Sequence, residues 1–290
     1  MPSGLGEWMY ARMNYIDEIR LRNVKYIGQD KVGIYNAALV NSFGGNKTKV
    51  LPPDDPPTDC EPSYSYVNPL LQTTWAQSVG YNNYMPLKSF VSSQNNGRAS
   101  TGCVATAMAQ VVRFHQYPST YNYSIMPDIY ESNIFSAGNN EMSRLINNLS
   151  VALNSDYTNS NCDLTTADTE DVPSVLINYL GYSNSATYIE PINHNLIINE
   201  LTLGRPVIFR GGRDAGWLTI PRYRDGHAWV VDGYNQTTGC YENGLSYSYI
   251  YYYMNWGWNG GENGWFGCGD FTPAGYNFNY KSGAVVGIKP

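Results

Sequence analysis

Charge is scarce in this sequence. Only 14% of its 290 residues are Asp, Glu, Lys or Arg, against about 25% in an average soluble domain. A basic excess is also missing: the formal net charge is −6 and the pI is near 5.0. That balance argues against nucleic acid or an anionic membrane surface as the main partner. No apolar run approaches the roughly 18 residues of a membrane-spanning helix, so no span is expected. Histidine occurs 3 times, so imidazole chemistry has few candidates. The 5 cysteines form no C-x-x-C pair, which disfavours zinc-ribbon and thioredoxin readings, and no metal or cofactor is expected. Tyrosine, by contrast, is abundant at 26 residues, and 42% of the chain is hydrophobic. Such a composition can fill a large core and argues against disorder.

The first twenty residues, MPSGLGEWMYARMNYIDEIR, lack the basic start and apolar stretch of a secretory signal, and Glu7, Asp17 and Glu18 interrupt them. Low charge with abundant Tyr and Asn nevertheless suits an extracellular protein. The odd cysteine count leaves at least one thiol free or paired to another molecule. Residues 7–22 carry Met9, Met13, Ile16 and Ile19 at helical spacing, and KVGIYNAALV reads as a strand. The clearest break is LPPDDPPTDCEP, residues 51–62, where Pro52, Pro53, Pro56, Pro57 and Pro62 exclude a helix or a central strand. This stretch reads as an exposed, protease-accessible linker between a leader and a main domain over 63–290.

Within that domain, residues 103–116 read as a helix, with Val104, Met108, Val111 and Val112 at 3–4 spacing and Pro118 beyond its end. Further helices are expected at 141–153, at 171–180 with Pro173 in the first turn, and at 194–203. From Pro206 onward the pattern turns to strands: PVIFR, HAWVVDGY, YSYIYYYMNW, GWFG and GAVVGIKP. Helices first and antiparallel strands later define an α+β domain, with a half-barrel or strongly curved sheet.

Cys103 falls at the head of its helix, after Gly102, where free backbone N–H groups and the helix dipole favour a thiolate. A lowered thiol pKa is therefore expected, and Gly102 is read as clearance for a substrate backbone. The alternative is a buried cysteine that merely caps a helix. A nucleophilic thiol needs a base. His115 lies on the same helix, about 18 Å away along the axis, and is assigned to packing at the helix end. His194, in P-I-N-H-N, is assigned to the solvated surface. His227 opens the strand D-G-H-A-W-V-V-D-G-Y after Gly226, another clearance, and would face a helix-borne thiol as Cys–His chemistry requires. It could equally be a core histidine satisfied by a carbonyl. The Cys103–His227 separation of 124 residues is close to the roughly 130–150 of papain-type enzymes. Further on, in M-N-W-G-W-N-G-G, Asn255 could accept the imidazole N–H, while Trp256 and Trp258 could shield the pair. Strand alternation prevents Asn255 and Trp256 from both facing His227 without a bulge. For an oxyanion, the Cys103 N–H offers one donor, and the Gln77 amide in W-A-Q-S-V-G-Y-N-N-Y-M-P is the best second candidate.

Taken in order, W-A-Q-S-V-G-Y-N-N-Y-M-P, T-G-C-V-A-T-A-M-A-Q-V-V-R-F-H-Q-Y-P, G-R-P-V-I, G-H-A-W-V-V-D-G-Y, N-W-G-W-N-G and S-G-A-V-V-G-I-K-P resemble the streptopain family of secreted bacterial cysteine peptidases, related to papain. The C-G-S-C-W signature of papain itself is absent. The resemblance implies a papain-like α+β fold, a helical half carrying nucleophile Cys103 and a β half carrying His227 as base and acid. It implies Gln77 as oxyanion donor and carries over Asn255 and Trp256 with an open choice of role. Gly102, Gly226 and Trp258 are the expected substrate-side residues. The substrates implied are proteins or peptides. Residues 1–62 would be the tail of an N-terminal prodomain, with the secretion signal upstream, and the enzyme a monomer. Asp225 departs from the family's usual second Gly and is expected to point to solvent. Alternatives are a papain-fold amidase or transpeptidase, and a non-catalytic binding or adhesion protein on the same fold. The pairing of Cys60, Cys162, Cys240 and Cys268 stays open, since four cysteines allow three full pairings.

Overall fold

The computed structural model describes residues 60–88, 96–157, 164–216, 222–241 and 245–290. They fall in a compact unit running from Pro57 to Pro290. The leader helix, the leader strand, most of the Pro-rich stretch and Cys162 lie outside the described residues.

Among the described residues, four α-helices form at the segments with 3–4 spacing. α1 spans Cys103–His115, and Val104 through Val112 are all buried, so it is a central helix apolar nearly all round. α2 spans Ala137–Ala152. It starts before the expected residue 141 because the Ser136 side chain caps it, accepting from the Asn139 N–H. α3 spans Val172–Asn178 and carries a proline in its first turn. α4 spans His194–Thr202 and is capped by Asn193, whose Oδ1 accepts from the Leu196 N–H at 3.2 Å.

The strands are β1 (Ser63–Val67), β2 (Thr187–Ile189), β3 (Val207–Asp214), β4 (Tyr223–Cys240), β5 (Ser246–Asn255), β6 (Gly264–Gly267) and β7 (Tyr280–Val286). They form one sheet in the order β2-β7-β3-β4-β5-β6, with β1 also pairing β4; every pairing is antiparallel. The 18-residue β4 is the spine. Its first half pairs with β3, and its second half pairs with β1.

Alternation along β4 sends Ala228 and Val230 to one face, where they join Ile208, Val285 and the apolar residues of α1, α2 and α3. Trp229 and Val231 go to the other face, with Phe209, Trp256, Phe271 and the α4 residues Ile197 and Leu201. The sheet is therefore covered on both sides, and Ala228 of β4 meets Cys103 at the head of α1.

Cys60 is disulfide-bonded to Cys240, the last residue of β4, across 180 residues of sequence. Cys103 and Cys268 are free thiols. A bridge closing so long a loop restricts the unfolded chain strongly, and removing it typically costs about 2–4 kcal/mol. Replacing Cys60 and Cys240 together with serine is expected to lower the urea midpoint accordingly. An unchanged midpoint would show that the bridge adds nothing.

Candidate active site

The loop before α1 is fixed by small polar residues. The Thr101 N–H donates to the Gln77 carbonyl at 3.0 Å. The Thr101 and Thr106 hydroxyls pair at 2.7 Å, and the Thr106 hydroxyl donates to the Gly102 carbonyl at 2.9 Å. Gly102 has φ +81, and a Cβ there would stand 3.1 Å from the Thr165 carbonyl oxygen. Glycine is thus needed for the left-handed turn and for the approach of Thr165. Gly226 is likewise filled: a Cβ would lie 2.6 Å from the Tyr223 hydroxyl.

Cys103 is half-buried at the head of α1. Backbone N–H groups of Ala228, Val104 and Cys103 itself pull its pKa down, but burial outweighs them and pushes the thiol up. The expectation of a lowered pKa from the helix terminus is therefore corrected: desolvation is the larger effect. The Ala228 contact brings strand and helix together, because Ala228 directly follows His227.

His227 is 8% exposed. Strand alternation places it on the Trp229 side of the sheet, not on the face that α1 packs against. Its ring lies among Trp258 and Phe278, both 5.1 Å away between centroids, with Trp229 at 6.1 Å and Trp256 at 6.3 Å. The imidazole Nε2 hydrogen-bonds the Trp256 backbone carbonyl at 2.8 Å. A carbonyl can only accept, so Nε2 carries the proton and Nδ1 presents a lone pair. Burial pushes the His227 pKa down to about 4, partly opposed by the Trp256 carbonyl.

Asn255 and Trp256 thus resolve in an unforeseen way. The Asn255 side chain does not reach His227. Its Nδ2 donates to the Thr73 carbonyl at 2.7 Å and to Gln110 Oε1 at 3.1 Å, and its Oδ1 accepts from the Gly257 N–H at 3.3 Å. β5 ends at Asn255, and the backbone carbonyl of Trp256, not any side-chain amide, accepts from the imidazole N–H. The Trp256 ring is fully buried; the Trp258 ring is only partly covered and also meets Tyr276 at 5.6 Å.

Gln77 sits half-buried beside the Cys103 loop through its carbonyl bond to Thr101, and its amide makes no hydrogen bond among the described residues. Asp225 points away, its carboxylate accepting from Arg213 Nε at 2.8 Å with both side chains exposed.

The other two histidines differ in placement. His115 ends α1 with a buried Nε2 that has no hydrogen-bond partner among the described residues, and burial pushes its pKa down to about 4. His194, expected on the solvated surface, is instead half-buried: it stacks on Tyr252, bonds the Tyr252 hydroxyl at 3.0 Å and touches the Cys268 sulfur. Phe278, Tyr223 and the Trp256 carbonyl were not singled out by sequence reasoning. The Gly-rich turn after Trp256 was the only signal near them.

A thiol at a helix head, met by the backbone of the residue that follows a strand-borne imidazole, is the papain-like layout of cysteine peptidase folds. The chain belongs to the Peptidase C10 family, whose model matches residues 75–120 and 118–266. It is similar to streptopain of Streptococcus pyogenes, at 27% identity over 235 residues, covering 66% of this chain and 53% of the relative. It is also similar to the thiol protease/hemagglutinin PrtT of Porphyromonas gingivalis, at 26% identity over 292 residues, 82% of this chain and 30% of that protein. The chain therefore spans about half the length of the streptopain it matches. Among solved structures, active wild-type interpain A cysteine protease of Prevotella intermedia superposes with a TM-score of 0.62 at 28% identity, covering 78% of this chain and 96% of that one. A prointerpain A fragment from the same organism gives a TM-score of 0.58 at 28% identity, with coverages of 78% and 73%.

Proposed function

We propose that this chain is a cysteine endopeptidase that hydrolyses peptide bonds in proteins through an acyl-enzyme on Cys103. The observation that carries this reading is the His227 Nε2 bond to the Trp256 carbonyl. It leaves Nδ1 as the basic nitrogen, on a residue whose chain neighbour touches the Cys103 sulfur.

The thiol passes its proton to Nδ1 as Sγ attacks the scissile carbonyl carbon. The Cys103 N–H and the Gln77 amide stabilise the oxyanion. The imidazolium gives its proton to the leaving amine as the C–N bond breaks. Water then loses a proton to Nδ1, its oxygen adds to the thioester carbon, and the C–S bond breaks to regenerate the thiol. Trp256, Trp258 and Phe278 keep bulk water from the imidazole, which strengthens its charge-assisted contacts.

Residues 1–62 serve as the tail of a prodomain cleaved in the Pro-rich stretch. The prolines support this, as does likeness to a prointerpain fragment. Action outside the cell is supported by the Cys60–Cys240 disulfide, a bond of oxidising compartments. Among the described residues, no helix is long and apolar enough to cross a membrane.

A substoichiometric epoxide inhibitor of cysteine peptidases, followed by mass mapping of the full chain, tests the reading. Cys268 is an internal control, being the more exposed free thiol and pushed up to about 11 by burial of its sulfur. Exclusive labelling of Cys103, with loss of casein cleavage in Cys103→Ala, is expected. Equal labelling of Cys268, or near wild-type cleavage by Cys103→Ala, overturns the assignment.

A further inference from the structure

The Trp256 carbonyl can orient His227 only if the turn bearing it is held still. That turn is gripped by side-chain amides. The Trp256 N–H donates to Asn263 Oδ1 at 3.0 Å, and the Gly257 N–H donates to Asn255 Oδ1. Asn255 in turn pairs with Gln110, its Nδ2 donating to Gln110 Oε1 at 3.1 Å while Gln110 Nε2 returns to Asn255 Oδ1 at 3.5 Å. Gln110 Oε1 accepts a further bond, from the Trp75 N–H at 3.1 Å. Trp75 is two residues before Gln77. Gln110 is fully buried and lies seven residues after Cys103 on α1, two helical turns and about 10 Å along the same face. Between them Thr106 faces the turn: a Cβ on Gly257 would meet Thr106 Cγ2 at 3.6 Å.

We infer that Gln110 is a positioning residue for catalysis. One amide on the nucleophile helix sets the register of the turn that orients the base and of the segment that supplies the second oxyanion donor. The assignment rests on the peptidase reading above. Its chemistry suits the role: a buried amide with every polar atom partnered has a single low-energy orientation. The elements it joins lie in three stretches of sequence, 73–77, 103–110 and 255–257; the Asn255 Nδ2 bond to the Thr73 carbonyl ties the first to the third directly, and Gln110 adds the nucleophile helix to that pair.

The test compares Gln110→Met and Gln110→Glu in the full chain. Methionine keeps the length and burial but loses all three hydrogen bonds. The expected result is a fall of about 10- to 100-fold in kcat, the scale of an ångström-level misplacement of catalytic groups, with KM nearly unchanged. The pH profile of Cys103 alkylation, measured without substrate, should move to higher pH, because a displaced carbonyl stabilises the imidazolium less. Glutamate can accept from Trp75 and Asn255 and, while protonated, donate in place of Nε2. It should restore activity at acidic pH and lose it as the introduced carboxyl ionises. If Gln110→Met does not fold, the Gln110→Glu pH profile decides. Wild-type kcat per folded molecule with an unshifted alkylation profile, or a Gln110→Glu profile parallel to wild type, overturns the inference. Cleavage by Cys103→Ala would sink the peptidase reading itself, which separates the two failures.

Discussion

His227→Ala is expected to reduce kcat/KM on an unfolded protein substrate by at least ~10³-fold, the scale of losing a general base that works as a unit with its nucleophile. The electrostatics of this site make the imidazole harder to dispense with than a helix-head cysteine would suggest. Burial pushes the Cys103 thiol above its ordinary value despite three backbone N–H groups aimed at the sulfur. Under the proposed mechanism the thiolate then depends on proton transfer to Nδ1 and not on the helix terminus. Without His227, alkylation of Cys103 should climb only above pH 9, where the thiol ionises unaided. The wild-type enzyme should react at far lower pH. Burial holds the resting imidazole neutral, with its pKa pushed down to about 4, so Nδ1 is available as a base across the neutral range. Superimposable alkylation profiles for the variant and the wild type would refute a proton-transfer role for His227.

The thiol and the imidazole were legible in the sequence because each obeys a periodic rule. Cys103 opens a run with apolar residues three and four apart, and elimination among so few histidines leaves His227 at the head of an alternating strand. The choice between Asn255 and Trp256 stayed open in the sequence for a physical reason. The acceptor that fixes the imidazole is a main-chain carbonyl, which every residue has, so no side chain marks it. The sequence offered an amide nearby, and that amide is used one step further back, on Gly257, Thr73 and Gln110. Gly102 and Gly226 were legible as glycines that something must approach. What approaches them, Thr165 and Tyr223, comes from segments distant in sequence or folded back on the strand.

The sheet shows the same division. β6 coincides with the expected GWFG, and β5 is displaced by a single residue at each end. β1 was missed because its S-Y-S-Y-V run is exposed, apart from a half-buried Val67, and so lacks the buried alternation that marks a strand. β4 runs well past the expected stop at Tyr234 because β1 and β5 flank its polar second half. Strand partners supply there what hydrophobic pattern does not. The thiol pKa was misjudged for a related reason: dipoles at a helix head are local and readable, whereas desolvation depends on everything packed around the sulfur.

Asp232→Asn is expected to make the protein's stability less sensitive to pH by about 4 kcal/mol between pH 4 and pH 8. Asp232 lies in β4 where the register shifts between Val231 and Gly233, and it is 1% exposed. Its Oδ2 accepts from the Leu71 N–H at 2.7 Å, and its carbonyl accepts from the Leu70 N–H at 3.1 Å. Oδ1 is buried with no hydrogen-bond partner among the described residues. Burial pushes the carboxyl up to about 7 from an ordinary value of 3.8, outweighing the backbone N–H groups that favour the anion. Below pH 4 both folded and unfolded chains hold the proton, so the group has no effect on stability. Between pH 4 and 7 the unfolded chain releases it while the folded chain keeps it. Stability therefore falls as pH rises through this window, and the full penalty persists above pH 7. Asparagine keeps the Leu71 bond and carries no charge at any pH, but its Nδ2 inherits the unpartnered site at a cost of about 1–3 kcal/mol. The variant should thus be the less stable protein at pH 4, gain on wild type up to about pH 7 and level off by pH 8, as followed by urea denaturation at each pH. A difference between the two proteins that stays constant across that range would show that Asp232 is ionised in the fold, and that some charge or donor near the Leu70–Leu71 turn compensates its burial.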